Sequence, residues 1–154
     1  MRKNGYWFWF DMDGIITNLY GVENWLAKLE ASDPSPYREA APLLNLSALA
    51  RQLNKLRLKG YSIGIISWTS KAGTTEYNEA VKLAKLAWLE KHLPSVKWDA
   101  INIVPYGTNK WDVAGRTGVL FDDELKNLQS WGNGMAWCPT YISEVLSNYN
   151  RLAA

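Results

Sequence analysis

The sequence predicts an α/β protein built on a central, mostly parallel sheet of five strands. Two observations lead there. Short apolar runs alternate with longer stretches of helical periodicity, the pattern of strands joined by crossover helices. The runs also lack polar–apolar alternation, as strands covered on both faces should. A length of 154 residues suits a single domain over 1–154 with a core of its own.

The elements follow in order. The aromatic run Tyr6–Phe10 ("YWFWF") is the first strand, followed by Tyr61–Ile66 ("YSIGII"), Ala100–Val104 ("AINIV"), Val119–Phe121 ("VLF") and Met135–Trp137 ("MAW"). Leu46–Leu58 carries Leu46, Leu49, Ala50, Leu53 and Leu56 on one helical stripe and closes with Lys59-Gly60, a basic last turn and a glycine. Glu76–His92 is a long amphipathic helix ended by Pro94, and Ile142–Leu152 is a terminal helix. Between residues 18 and 42, "VENWLAKLE" is helical while "ASDPSPYREAAP" is broken by three prolines. That segment is expected to be an insertion, either a small helical cap or one that leaves the site open.

Composition narrows the function. Hydrophobic residues make up 47% and charged residues 21%, a globular balance. A net charge of +2 is too small to argue for a nucleic-acid track or a membrane surface. The apolar run after "MRKNG" stops at Asp11, too short for a signal core or a membrane span, so a cytoplasmic protein is expected. The lone Cys138 cannot form an internal disulfide, which fits a reducing compartment. The lone His92 sits near a helix C-terminus, where it favours the dipole.

Four short pieces stand at strand ends: "DMDG", "SWTSK", "YGTNK" and "DDE". In an open parallel sheet these ends share one rim, where ligands bind. Asp11, Asp13, Asp122 and Asp123 would crowd together there, which is unfavourable unless a divalent cation neutralises them. An all-oxygen set suits Mg2+. Ser67, Thr69 and Ser70 offer hydroxyls and backbone N–H groups for a phosphate, and Lys110 offers a positive charge. Lys71 is its rival. Carboxylates, magnesium, hydroxyls and a lysine together describe phosphoryl transfer.

The order of these pieces resembles the haloacid dehalogenase superfamily of phosphohydrolases. Asp11, Asp13 and Gly14 match its first motif, Ser67 its second, Lys110 its third, and Asp122 with Asp123 its fourth. The resemblance spans Phe8 to about Leu125 and implies a Rossmann-like three-layer sandwich. It implies Asp11 as nucleophile and Asp13 as acid and then base. Mg2+ would be held by Asp11, the Asp13 carbonyl and Asp122 or Asp123. Phosphate would be bound by Ser67 and Lys110, with Trp68 and Thr69 beside them. Within the superfamily, "DMDGIITN" and "KLAWLEKHLP" look like the small 5′-nucleotidases that act on deoxyribonucleotides. Trp88 and Leu89 in the second stretch also read as ordinary core.

The expected substrate is a small phosphorylated molecule, a 5′- or 3′-nucleotide first. Other phosphorylated metabolites and polynucleotide 3′-ends are alternatives, as is a non-catalytic module that sequesters a phosphorylated ligand. Nucleic acid enters only as a phosphorylated end. Tyr20, Trp25 and Tyr37 in the 18–42 segment could stack on a base or merely pack the segment down. Glu124 reads as a first-turn helix acid. The oligomeric state is left open.

Overall fold

The first strand, β1, is Trp7–Phe10, and it lies at the centre of the sheet. In the computed structural model, which describes residues 6–152, five parallel strands stand in the order β5-β4-β1-β6-β7. The others are β4 (Ser62–Trp68), β5 (Ala100–Val104), β6 (Val119–Phe121) and β7 (Ala136–Trp137). Helices α3 (Leu46–Leu58), α4 (Thr75–His92), α5 (Lys110–Val113), α6 (Leu125–Ser130) and α7 (Ile142–Arg151) connect and cover them. The fold is the Rossmann-like α/β sandwich expected, with all five strands parallel.

The apolar runs hide a strict division of faces. Phe8 and Phe10 of β1, Ile63 and Ile65 of β4, and Val119 and Phe121 of β6 join Leu53, Trp88 and Leu146 in one core. The intervening Trp9, Ile66 and Leu120 face the other way, onto Ala114 and Trp131. Period two is present, but both faces are apolar, so the sequence does not display it. Gly64 makes the second face possible: a Cβ there would stand 2.3 Å from the Trp9 ring.

Several boundaries differ from expectation. Tyr6 lies outside β1, and Tyr61 precedes β4. β4 runs two residues past Ile66, so Ser67 and Trp68 are its last residues rather than the start of a loop. β5 is an edge strand and is not covered on both faces, with Ile101 38% exposed. The opening "MRKNG" lies outside the described residues. No helix among them is long and apolar enough to cross a membrane.

The 18–42 segment has a stem the sequence did not suggest. β2 (Thr17–Asn18) pairs antiparallel with β3 (Ala41–Pro42). Between them lie a 3-10 turn (Leu19–Gly21), α1 (Trp25–Glu30) and α2 (Ser35–Glu39). α2 is seated on α4: Leu19, Tyr37, Tyr77, Val81 and Ala84 form a small separate core. The Trp88 indole N–H donates to the Ala40 carbonyl at 2.8 Å, and the Tyr77 hydroxyl to the Asp33 carbonyl at 3.1 Å.

Candidate active site

Asp11 and Asp122 are set by the backbone. Past the ends of β1 and β6 the ladder continues, the Asp11 N–H donating to Phe121 O at 2.9 Å and the Asp122 N–H to Trp137 O at 3.2 Å. Between the first two acids, Met12 is fully buried and its carbonyl accepts from the N–H groups of Ile15, Ile16 and Thr17. This turn leaves both Asp11 and Asp13 on the cleft wall. Gly14 is required twice over. Its φ is +79°, and a Cβ would stand 2.0 Å from Asp123 Oδ2.

Lys110 opens α5, whose cap is the Asn109 side chain accepting from the Asp112 N–H at 3.2 Å. Its ammonium lies 3.1 Å from Asp11 Oδ1 and 2.6 Å from Asp122 Oδ2, with only 3% of the residue exposed. It also stands 5.2 Å from the centroid of the Trp68 ring. Asp122 is further held by the Glu124 N–H at 2.9 Å and the Asn127 amide at 3.1 Å. Burial works against the Lys110 charge, but Asp11 and Asp122 outweigh it and hold the ammonium above its usual range.

The acids remain crowded. Asp11, Asp122 and Asp123 each offer a carboxylate oxygen, all within 4.8 Å of one another. Burial, then the charge of Asp11, lifts Asp122 to about 6 and Asp123 to about 7. One lysine does not neutralise three acids. A hard divalent cation fits this donor set, which contains only oxygen.

Asp13 has a different partner. Its Oδ2 accepts from Lys85 Nζ at 2.9 Å, and its Oδ1 from the Thr17 hydroxyl at 3.2 Å. Lys85 comes from the middle of α4 and also donates to Ser67 Oγ and the Trp68 carbonyl, each at 2.7 Å. Sequence reasoning missed it as a site residue. The available signal was its place on the apolar stripe Val81, Ala84, Lys85, Trp88, where an unpaired lysine does not belong. Asn127 was missed as well.

The "SWTSK" stretch is arranged otherwise than expected. Ser67 is fully buried and lies beneath the cleft rather than in its wall. The Thr69 N–H is taken by the Val104 carbonyl at 2.8 Å, and the Ser70 N–H by Asn78 Oδ1 at 3.2 Å. The Ser70 hydroxyl also goes to Asn78, at 2.6 Å. These backbone groups are therefore not a free phosphate cradle, and α4 begins only at Thr75. What this stretch presents to the cleft is Trp68, Thr69, Ser70 and Lys71. Lys71 is exposed, 5.8 Å from the Tyr106 ring centroid.

The cleft is about 210 Å³. Two aromatic pairs stand on its walls: Tyr20 against Trp25, with centroids 5.1 Å apart, and Trp68 against Tyr106, 4.8 Å apart. Tyr37 also lines the cleft although it is mostly buried, its ring 5.2 Å from Lys85 Nζ. Glu124 occupies the cap position of α6 rather than its first turn, with no side-chain cap bond. His92 stacks on Trp88, centroids 4.4 Å apart, away from the cleft, and burial lowers its pKa. Trp88 and Leu89 are core.

No family model matches this sequence, and no curated protein sequence does. Solved structures do share the fold. A D,D-heptose 1,7-bisphosphate phosphatase from Burkholderia thailandensis aligns with a TM-score of 0.52 at 14% identity, covering 92% of this chain and 99% of that one. A D,D-heptose 1,7-bisphosphate phosphatase from B. bronchiseptica, complexed with magnesium and phosphate, aligns with a TM-score of 0.52 at 17% identity, covering 86% and 78%.

Proposed function

We propose that this chain is a Mg2+-dependent phosphomonoesterase of the haloacid dehalogenase type. One observation carries the reading: a buried ammonium shared by Asp11 and Asp122, with Asp123 within 4.8 Å, at the ends of adjacent parallel strands. The motif order supports it. So does the shared fold with two phosphatases, one of them complexed with magnesium and phosphate.

Asp11, the main-chain carbonyl of Asp13, and Asp122 with Asp123 are the groups that would hold Mg2+. When bound, it screens the charge between carboxylates and phosphate. Asp11 attacks phosphorus while the bond from phosphorus to the leaving oxygen breaks, and Asp13 gives that oxygen a proton. The product is an aspartyl-phosphate. Asp13 then takes a proton from water, the water oxygen attacks phosphorus, and Asp11 and inorganic phosphate separate. Lys110 stays beside the transferring group and offsets its charge. Trp68 and Thr69 line the phosphate subsite, and Ser67 serves it from beneath.

The substrate we propose is a nucleotide carrying a 5′- or 3′-phosphate. The cleft is smaller than the roughly 300–1,000 Å³ that encloses a whole small molecule, so the leaving group lies at the mouth. There the two aromatic pairs offer faces for a base. Residues 19–40 act as a small cap carrying Tyr20 and Trp25, on a single domain. The free thiol of Cys138 suits a reducing, cytoplasmic setting.

The test is phosphate release from nucleoside 5′- and 3′-monophosphates, sugar phosphates and a 3′-phosphorylated oligonucleotide. It is run with Mg2+, with EDTA and with Asp11→Asn. The expected result is release from a nucleotide that EDTA abolishes and Asp11→Asn lowers by about 10³-fold or more. Release from sugar phosphates alone would move the substrate class. Binding with no release from any member would leave a sequestering module.

A further inference from the structure

Lys85 is among the most deeply buried charged groups described, with 1% of its surface exposed. It is absent from the cleft wall and from the cluster of Asp11, Asp122 and Asp123. Its ammonium has three protons to donate, and three acceptors stand within 2.9 Å: Asp13 Oδ2, Ser67 Oγ and the Trp68 carbonyl. The Tyr37 ring lies 5.2 Å from the nitrogen. Every donor is therefore spent beneath the cleft floor, and none is left to reach a substrate.

We propose that Lys85 is a positioning residue that fixes Asp13 for proton transfer to the leaving group. The proposal rests on the phosphomonoesterase reading. A carboxylate at the end of a short side chain rotates freely unless both oxygens are held. Here Oδ2 is pinned by the ammonium, and Oδ1 takes only the longer bond from Thr17. Oδ1 is thus the oxygen that can exchange a proton with the leaving group or with water. The same ammonium ties this geometry to the last residues of β4, so Asp13 on β1's loop and the Ser67–Trp68 edge move as one unit. General acid catalysis depends on holding the acid within hydrogen-bond reach of the leaving oxygen.

Lys85→Met suits the test because the site is apolar on either side, at Ala84 and Trp88. Removing one partner of a buried pair is destabilising, so cooperative melting of the variant is checked before its kinetics are read. The partner Asp13 keeps 17% of its side chain exposed and can turn to water. The probes are phenyl phosphate and para-nitrophenyl phosphate with Mg2+. They are alike in shape and differ in how much the leaving oxygen needs a proton.

The expected result is a loss of kcat on phenyl phosphate at least roughly tenfold greater than on para-nitrophenyl phosphate, with KM for either moving about threefold or less. In an Asp13→Asn background the same substitution should have almost no further effect, since the two act as one unit. Equal losses on both probes, or full additivity with Asp13→Asn, would overturn the proposal while leaving the phosphatase intact. Wild-type protein that releases phosphate from neither probe nor any panel member would sink the underlying reading and this inference with it. Should Lys85→Met fail to melt cooperatively, Lys85→Gln goes through the same two comparisons with the same outcomes.

Discussion

Two lysines are buried at the strand ends, and they are buried differently. Lys110 sits among carboxylates, 3.1 Å from Asp11 and 2.6 Å from Asp122, with Asp123 nearby. Lys85 has one carboxylate, Asp13, and satisfies its other protons on a hydroxyl and a carbonyl. The first lies where negative charge is in excess and its field reaches the cleft. The second lies where charge is nearly balanced and all its bonds are local. Charge excess marks a place that still wants a cation or stabilises a changing charge. Charge balance marks a place that holds a shape.

Lys110→Met should give the largest effect. On the proposed mechanism it removes preorganised positive charge from beside the transferring group, so kcat is expected to fall by on the order of 10²–10³ on every substrate, whatever its leaving group. In EDTA it also leaves the fully buried Asp122 without its ion pair, and urea unfolding should show a loss of about 3–5 kcal/mol. A uniform loss here against a leaving-group-dependent loss for Lys85→Met would confirm that the two lysines do different work. The same profile for both would collapse the distinction.

The excess of acid around Lys110 should also appear as a pH effect. In the metal-free protein Asp122 is lifted to about 6 and Asp123 to about 7, above the ordinary value of roughly 3.9 that each regains on unfolding. Between about pH 4 and pH 7 the folded chain therefore holds protons that the unfolded chain releases, and stability falls as pH rises through that window. Lys110, held above its usual range, keeps its contribution throughout neutral pH and loses it only in strong alkali. In EDTA the melting temperature is expected to be higher at pH 5.5 than at pH 7.5. Saturating Mg2+ should shrink or reverse that difference, since it binds the ionised, folded site. A flat profile in EDTA would mean the acids are less crowded than their geometry indicates.

Lys71→Met should do least. Its side chain is exposed, at the rim by Tyr106, with no carboxylate partner among the ion pairs described. Melting temperature is expected to stay unchanged, kcat to stay within about twofold, and KM to rise no more than a few fold. A loss as large as that of Lys110→Met would transfer the phosphate-binding role to Lys71.

Strand ends were legible, and so were the groups attached to them. Asp11, Asp13, Asp122 and Asp123 follow apolar runs directly, and a parallel sheet gathers such ends on one rim. Lys110 also stands near a strand end, but so does Lys71, and only the order of the motifs set Lys110 first. Lys85 and Asn127 were not read as site residues, because each reaches the site from a helix face. In "SWTSK" the part misread was the free backbone cradle. With β4 running on to Trp68, Ser67 turns inward, and the Thr69 and Ser70 N–H groups find partners in Val104 and Asn78. The stem of the 18–42 segment was invisible because two-residue strands carry no periodicity.

The sequence by itself determined the order of the five main strands and the helices between them, the burial of β1, and the run of acids at strand ends. These are local, since apolar runs, caps and turns are written in neighbouring residues. Only the tertiary structure decided which lysine meets which acid, which hydroxyl faces the cleft, and how α4 holds both Asp13 and the 18–42 segment through Lys85 and Trp88. Among those contacts are pairs 12, 48 and 72 positions apart. The pairing of buried charges depends on distances of a few ångströms, which packing sets and composition does not.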